Sequence, residues 1–352
     1  MNAPEGDAVL DGFVREQAVV VPRVADAVRA QLALWPAADA AVLALVGSGT
    51  SLNALVAAKP ALEASGRVVE VLNPGAFMRR DWAAVAAAAG PVLAVVLSQT
   101  GTSGTSVAAV RAAREAGLPV VAVTAERGSP IAGVAERLLH LPVGPEPVGP
   151  KTKGYTASLV ALFALADWLD GRERGPQASQ QAVSALLGHA GAPAEALAAR
   201  LDGLDFLAVI GEGRHFGTAL EASLKVTEMA GLPAAAFPLE EALHGRLHGP
   251  SPRSLCLWIA ADEGELRIAA HAAEVMAALG VEILVLNLTE RSTPRDWLRL
   301  PPLLAAPLDT VAAILPFQRL AEALARRRGL PPHRMRFPGL SQRLGIKIER
   351  LP

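Results

Sequence analysis

Serine, threonine and glycine crowd the ends of two apolar runs, an arrangement suited to holding a phosphate. The first run is Val42-Leu43-Ala44-Leu45-Val46, followed by Gly47-Ser48-Gly49-Thr50-Ser51. The second is Val92-Leu93-Ala94-Val95-Val96-Leu97, followed by Ser98-Gln99-Thr100-Gly101-Thr102-Ser103 and a helical pattern through Glu115. A buried parallel strand that stops at small hydroxyl residues and restarts as a helix offers free backbone N–H groups, hydroxyls and a positive helix end. Open α/β sheets bind ligands at the carboxyl ends of their strands, where such turns fall. A phosphorylated small molecule is the expected ligand class. No Gly-x-x-x-x-Gly-Lys-Ser/Thr is present, and Gly47-Ser48-Gly49 lacks the third glycine of a dinucleotide fingerprint.

A second set of residues suits proton transfer. Glu221, Lys225 and Glu228 are four and three residues apart, so a helix places them on one face. By spacing alone, a solvated ladder of ion pairs is an equally good account of them. The chain has 28 arginines and only five lysines (Lys59, Lys151, Lys153, Lys225 and Lys347). A lysine kept against that bias suggests a need for a compact ammonium, or for an amine whose pKa can be lowered. Downstream, His244 and His248 are spaced like a metal pair, but no third ligand is evident and no metal is expected. A Glu and a His brought beside a phosphate-binding strand end suit proton transfer on a sugar phosphate instead.

The elements that must position these residues follow a repeated scheme. Strands are expected near 42–46, 68–72, 92–97, 120–124 and 138–142, with helices near 51–65, 79–89, 104–117 and 130–136. This alternation specifies a parallel sheet covered on both faces. A Gly/Pro-rich loop then leads into an apolar helix from Tyr155 to about Leu169. The second half repeats the order with strands at 206–210, 255–260, 282–286 and 298–300, and helices at 218–230, 264–279 and 308–328. It has no equivalent of the Ser98–Ser103 turn. The expected division is a helical lead-in over 1–40, a phosphate-binding domain over 41–170, a linker over 171–190, a second domain over 191–330 and a tail over 331–352 that completes the site.

Composition narrows the class further. The 352 residues are 51% hydrophobic and 19% charged, with a net charge of −1, which describes a well-packed α/β protein with no broad basic face for nucleic acid. Arg326-Arg327-Arg328 falls at a helix end, where cations complement the dipole. A single Cys256 excludes internal disulfides and a Cys-rich zinc site. No signal pattern or membrane-length apolar run is present, so a cytoplasmic location is expected.

These residues together resemble the sugar isomerase (SIS) domain family, specifically its tandem-domain group that includes the isomerase half of glucosamine-6-phosphate synthase. Gly49-Thr50-Ser51 matches the family's Gly-Thr-Ser turn, and Ser98–Ser103 is similar to its Ser-Gln-Ser-Gly-Glu-Thr phosphate loop. Lys151-Thr152-Lys153-Gly154-Tyr155-Thr156 resembles its Ser-Thr-Lys-Ala-Phe-Thr segment, with Glu146 upstream as in its Gly-x-Glu. Leu220-Glu221 through Lys225 and Glu228 matches its Leu-Glu-(x)3-Lys-(x)2-Glu helix, and His244 follows Glu228 at the family's interval. His248-Gly249-Pro250 copies the family's His-Gly-Pro triplet literally, so His248 remains the alternative to His244.

The resemblance implies two tandem SIS domains, each a three-layer α/β/α sandwich with a parallel sheet, paired into a homodimer with shared active sites. It implies that Ser98, Gln99, Thr100 and Ser103 bind phosphate and that Thr50 and Ser51 bind sugar hydroxyls. Glu228 would then move a proton between C1 and C2 with Lys225 nearby, and His244 of the partner would assist ring opening. The family's C-terminal lysine corresponds to Lys347, with Gln342 as another alignment. Lys151 replaces a serine that contacts the sugar, and Arg246 replaces the proline of His-Gly-Pro, which leaves the substrate open. The implied function is aldose–ketose isomerisation of a sugar or amino sugar 6-phosphate, without a cofactor. Amino sugar phosphate deamination, fructosamine 6-phosphate deglycation and non-catalytic sensing of a phosphosugar are the alternatives. Glutamine hydrolysis is not expected, since Asn2 rather than a cysteine follows Met1.

Overall fold

The computed structural model describes residues 3–172, 175 and 177–348. Residues 1–2 of the expected lead-in, 173, 174 and 176 of the expected linker, and 349–352 of the expected tail lie outside that set. The chain gathers into two bodies. One holds residues 20–146, 153–172, 175 and 337–348; the other holds 3–19, 147–152 and 177–336.

The chain begins with helix α1 (Ala3–Leu32), whose residues divide between the two bodies. The first sheet then alternates β1 (Val42–Val46), α2 (Thr50–Glu63), β2 (Val68–Leu72), α3 (Pro74–Met78), α4 (Trp82–Ala89), β3 (Val92–Leu97), α5 (Gly104–Glu115), β4 (Val120–Thr124), α6 (Pro130–Val134) and β5 (Arg137–His140), with α7 (Lys153–Leu169) after it. The strand order is β2-β1-β3-β4-β5, and every pairing is parallel. β1, β3 and β4 are buried along their whole length, which is why they read as unbroken apolar runs rather than alternating ones. Val42, Val92 and Val96 pack with Phe77 and Trp82 in the core, while α7 lies against α2. Arg67 pairs with Asp170 and donates to the Leu169 carbonyl, tying the start of β2 to the end of α7.

The second body repeats this topology with α8 (Gln180–Leu201), β6 (Phe206–Ile210), α9 (Arg214–Ala230), β7 (Ala234–Phe237), α10 (Leu239–Leu243), β8 (Ser254–Ala260), α11 (Glu263–Ala278), β9 (Glu282–Asn287), β10 (Asp296–Arg299) and α12 (Asp309–Arg327). Its order, β10-β9-β8-β6-β7, is the first order read from the other edge, and all its pairings are parallel. α12 packs on α8 and α9, and Trp258 is fully buried at the centre of the core. A short α13 (Leu340–Arg343) lies in the tail, whose residues 337–348 belong to the first body.

Three local expectations are corrected. The helix read near 79–89 is α4, started by Asp81 through Ala84 N, but a separate α3 before it, started by Asn73 through Ala76 N, was not expected. β7 was not expected. Its Ala-Ala-Ala-Phe sequence has little strand propensity and forms a strand by pairing with β6. α8 begins at Gln180, inside the stretch read as linker, and is started by Ser179 accepting from Ala182 N.

Candidate active site

In both sheets the chain reverses its winding between the first and third strands, leaving a crevice at their carboxyl ends. Both hydroxyl-rich turns of the first body fall at this point: Thr50 opens α2 after β1, and Ser98–Ser103 joins β3 to α5. The β3–α5 turn is built by its neighbours. Gly101 adopts φ +64°, and a Cβ there would stand 2.0 Å from Ser129 Oγ, so only glycine fits. Its carbonyl accepts from Ile131 N, and its N–H donates to the Ser98 carbonyl. Thr124 Oγ1 and Ala125 N, from the end of β4, both donate to the Gln99 carbonyl at 3.0 and 2.9 Å. Ser103 caps α5, taking Ser106 N at 3.4 Å and Ser106 Oγ at 3.1 Å. Thr100 and Thr102 share a hydroxyl contact of 2.9 Å. Ser98 is buried at the strand end, while Thr50, Ser51, Thr100 and Ser103 remain half-buried. The arrangement presents hydroxyls and the α5 N-terminus toward one end of the sheet, as anion binding requires.

The tail closes one edge of this turn. Gly104 N donates to the Ile346 carbonyl at 3.0 Å, and Ile348 N donates to the Thr102 carbonyl at 2.8 Å. This sets Lys347 opposite Ser103 in an antiparallel bridge, with its side chain exposed. Ile348 packs on the first body's core and anchors the pairing. Gln342, the other candidate, lies exposed in α13.

The proton-transfer set lies in the second body. Ala219, Ala222, Val226 and Met229 bury one face of α9, and Gly231 ends the helix in the left-handed conformation. Lys225 and Glu221 are completely buried, whereas the Glu228 side chain keeps 18% of its surface exposed. Lys225 Nζ donates to Glu228 Oε2 and lies 3.4 Å from Glu221 Oε1. Burial by itself would push the Lys225 ammonium toward neutrality, but the Glu221 and Glu228 carboxylates outweigh it and raise its pKa above that of free lysine. The sequence left open an amine of lowered pKa; two flanking carboxylates make Lys225 a fixed cation instead. The account of these residues as a solvated ladder fails for Lys225 and Glu221, which have no access to water.

His244 follows α10 and is 72% exposed, with Nε2 2.8 Å from Glu240 Oε1. His248 is exposed one turn on, and Arg246 between them lies over the Phe237 ring at 5.5 Å. Lys151 is half-buried in the second body's 147–152 segment. Among the described residues no group of three His, Cys, Asp or Glu side chains is placed to hold a metal ion, and no helix is long and apolar enough to cross a membrane.

One residue carries more than its sequence signal indicated. Glu146 is buried and accepts from the N–H groups of Lys153 and Gly154, both at 3.2 Å, so it caps α7 from outside the helix. Its Oε2 also accepts from Gln99 Nε2 at 3.3 Å.

Residues 38–167 match the SIS domain family. A glutamine–fructose-6-phosphate aminotransferase (isomerizing) of Symbiobacterium thermophilum is 35% identical over 167 residues, 44% of this chain and 27% of that protein. The protein of the same name from Aeropyrum pernix is 28% identical over 319 residues, 85% of this chain and 50% of the other. The chain therefore spans half or less of the length of these relatives. Among solved structures, a Clostridium difficile 630 chain provisionally named as a phosphosugar isomerase superposes with a TM-score of 0.81 at 19% identity, covering 96% of this chain and 99% of that one. The C-terminal domain of glucosamine-fructose-6-phosphate aminotransferase from Francisella tularensis gives 0.73 at 18% identity, covering 91% and 96%. These likenesses establish the fold. The match to the SIS family covers residues 38–167, and the chain as a whole has the fold of two tandem SIS α/β/α domains.

Proposed function

We propose that this protein isomerises a sugar or amino sugar 6-phosphate, moving a proton between C1 and C2 of the open-chain form. The observation that carries the reading is the Lys225–Glu228 pair: a wholly buried ammonium holding a carboxylate that still reaches solvent. A carboxylate held by a buried ammonium and still within reach of a ligand suits a base that moves a proton. Ser98, Thr100 and Ser103 with the α5 N-terminus take the phosphate, and Thr50 and Ser51 meet sugar hydroxyls. Lys347, held opposite Ser103, stands at the edge of the same turn. Glu228 takes the proton from the carbon beside the carbonyl, giving an enediol or enolamine, and returns it to the neighbouring carbon. Lys225 keeps Glu228 oriented and offsets its charge, so this chemistry calls for no metal.

His244 assists ring opening in the active site of a second copy of the chain; its exposure, with Glu240 its one side-chain partner among the described residues, suits a group that completes another subunit's site. Purified protein assayed against glucose, galactose, fructose, glucosamine and galactosamine 6-phosphates should interconvert an aldose and a ketose. Ammonia release from an amino sugar would place the reaction among deaminations. Binding without turnover of any member would leave a sensor. Mixing inactive Glu228→Gln and His244→Ala proteins should restore activity after subunit exchange. Failure to recover it in confirmed heterodimers would place each site within one chain.

A further inference from the structure

The side chain of Gln99 is turned away from its expected task. Its backbone is pinned by the two donors from the end of β4, so only the side chain is free to choose a direction. That side chain lies against the first turn of α7. A Cβ built on Gly154 would stand 1.6 Å from Gln99 Nε2, 2.1 Å from Cδ and 2.4 Å from Oε1, so the carboxamide fills the space an alanine methyl would take. The SIS segment that Lys151–Thr156 resembles has alanine there. Glu146 fixes the amide's sense as well as its place. A carboxylate can only accept, so the amide nitrogen must face Oε2, 3.3 Å away. Among the described residues Oε1 has no partner, and an acceptor oxygen repels a phosphate dianion while suiting a sugar hydroxyl.

We propose that Gly154 and Glu146 draw Gln99 out of the phosphate loop and make it a contact to a sugar hydroxyl. Glu146 is the positioning residue, and Gly154 decides where the carboxamide rests. The inference builds on the phosphosugar reading and adds to it: phosphate is left to Ser98, Thr100, Ser103 and backbone N–H groups, and discrimination among sugars falls partly to Gln99.

The test measures binding of inorganic phosphate and of the tightest-binding hexose or hexosamine 6-phosphate in the panel to wild type, Gln99→Ala, Gly154→Ala and the double variant. Gln99→Ala should weaken the sugar phosphate by about five- to tenfold, the worth of one hydrogen bond, and change inorganic phosphate by less than about twofold. Gly154→Ala displaces only the flexible end of Gln99, so α7 keeps its fold by circular dichroism. It should alter the ratio of the two affinities, and Gln99→Ala should abolish that alteration in the double variant. Glu146→Gln, whose amide can present its own oxygen to Gln99, should retain more of the wild-type ratio than Glu146→Ala. Equal weakening of both ligands by Gln99→Ala, no effect on either, or simple additivity with Gly154→Ala overturns the inference while leaving the phosphosugar reading intact. A wild-type protein that binds neither inorganic phosphate nor any sugar phosphate overturns that reading and the inference with it.

Discussion

The two sheets share a strand order and a switch point, yet the residues placed there are opposite in character. In the first body, β3 ends in hydroxyls and the α5 N-terminus is capped by Ser103. In the second, β8 ends at Ala261-Asp262; Asp262 takes the N–H groups of Gly264 and Glu265, and Glu265 takes that of Ala261 at 2.7 Å. The donors that could meet a phosphate are already satisfied by the chain's own carboxylates. After β1 the crevice has Thr50 and Ser51; after β6 it has Glu212, which accepts from Leu239 N, and Arg214, which is locked to Asp309. The same architecture thus ends in hydroxyls in one copy, where Gly104 N and Ser106 N are bonded to an uncharged carbonyl and hydroxyl, and is sealed by internal anions in the other. The sealed copy carries Lys225 and Glu228 on α9. Topology supplies a crevice in each copy, and side chains decide which one stays available.

The largest effect should come from Glu228→Gln, which keeps shape and removes the base. Turnover should fall by about 10²–10⁴-fold with phosphosugar affinity largely kept. Near-normal turnover would strip the second body of its chemical role. Next, Ser98→Ala with Ser103→Ala should weaken phosphosugar binding by about 2 kcal/mol, at about 1 kcal/mol per hydrogen bond, as read by calorimetry. Unchanged affinity would dissolve the contrast between open and sealed turns.

Asp309→Asn probes the seal itself. Burial opposes the Asp309 charge, but His215 and the Arg214 guanidinium outweigh it and hold its pKa down at about 2. A lowered carboxylate pKa contributes stability that is fully present above the ordinary value of 3.8 and is lost as pH falls toward about 2. The substitution should therefore cost roughly 2 kcal/mol at neutral pH and flatten the acid limb of a denaturation series between about pH 4 and 2. An unchanged acid limb would count against the pair. The smallest change should follow Glu265→Gln. Burial raises the Glu265 pKa, so its charged form destabilises the fold as pH rises through that value, and the neutral amide can still accept from Ala261 N. Stability should move by about 1 kcal/mol or less and phosphate affinity not at all. A large loss of phosphate binding here would mean that the second crevice is not sealed.

The features legible in the sequence are those with a local cause. β1, β3, β4, β6 and β8 announce themselves because burial on both faces demands continuous apolar residues. The two hydroxyl turns and the Glu221–Lys225–Glu228 spacing are equally local. β7 was hidden because alanines carry no strand signal, and α8 because Gly188, Gly191 and Pro193 interrupt its helical pattern. The sense of the Lys225 shift depends on complete burial between two acids, which spacing alone does not reveal. Glu146 was visible as a motif residue, but its grip on Gln99 spans α7 and the phosphate loop. Contacts between distant segments leave no periodic trace.

The pairing of Ile346 and Ile348 with Gly104 and Thr102 has a consequence in time. A ribosome delivers the phosphate turn about 240 residues before the residues that edge it. Until then Gly104 N has no chain partner, and the first sheet must form with one side of its turn unfinished. About 240 further residues have to be translated before that edge can close.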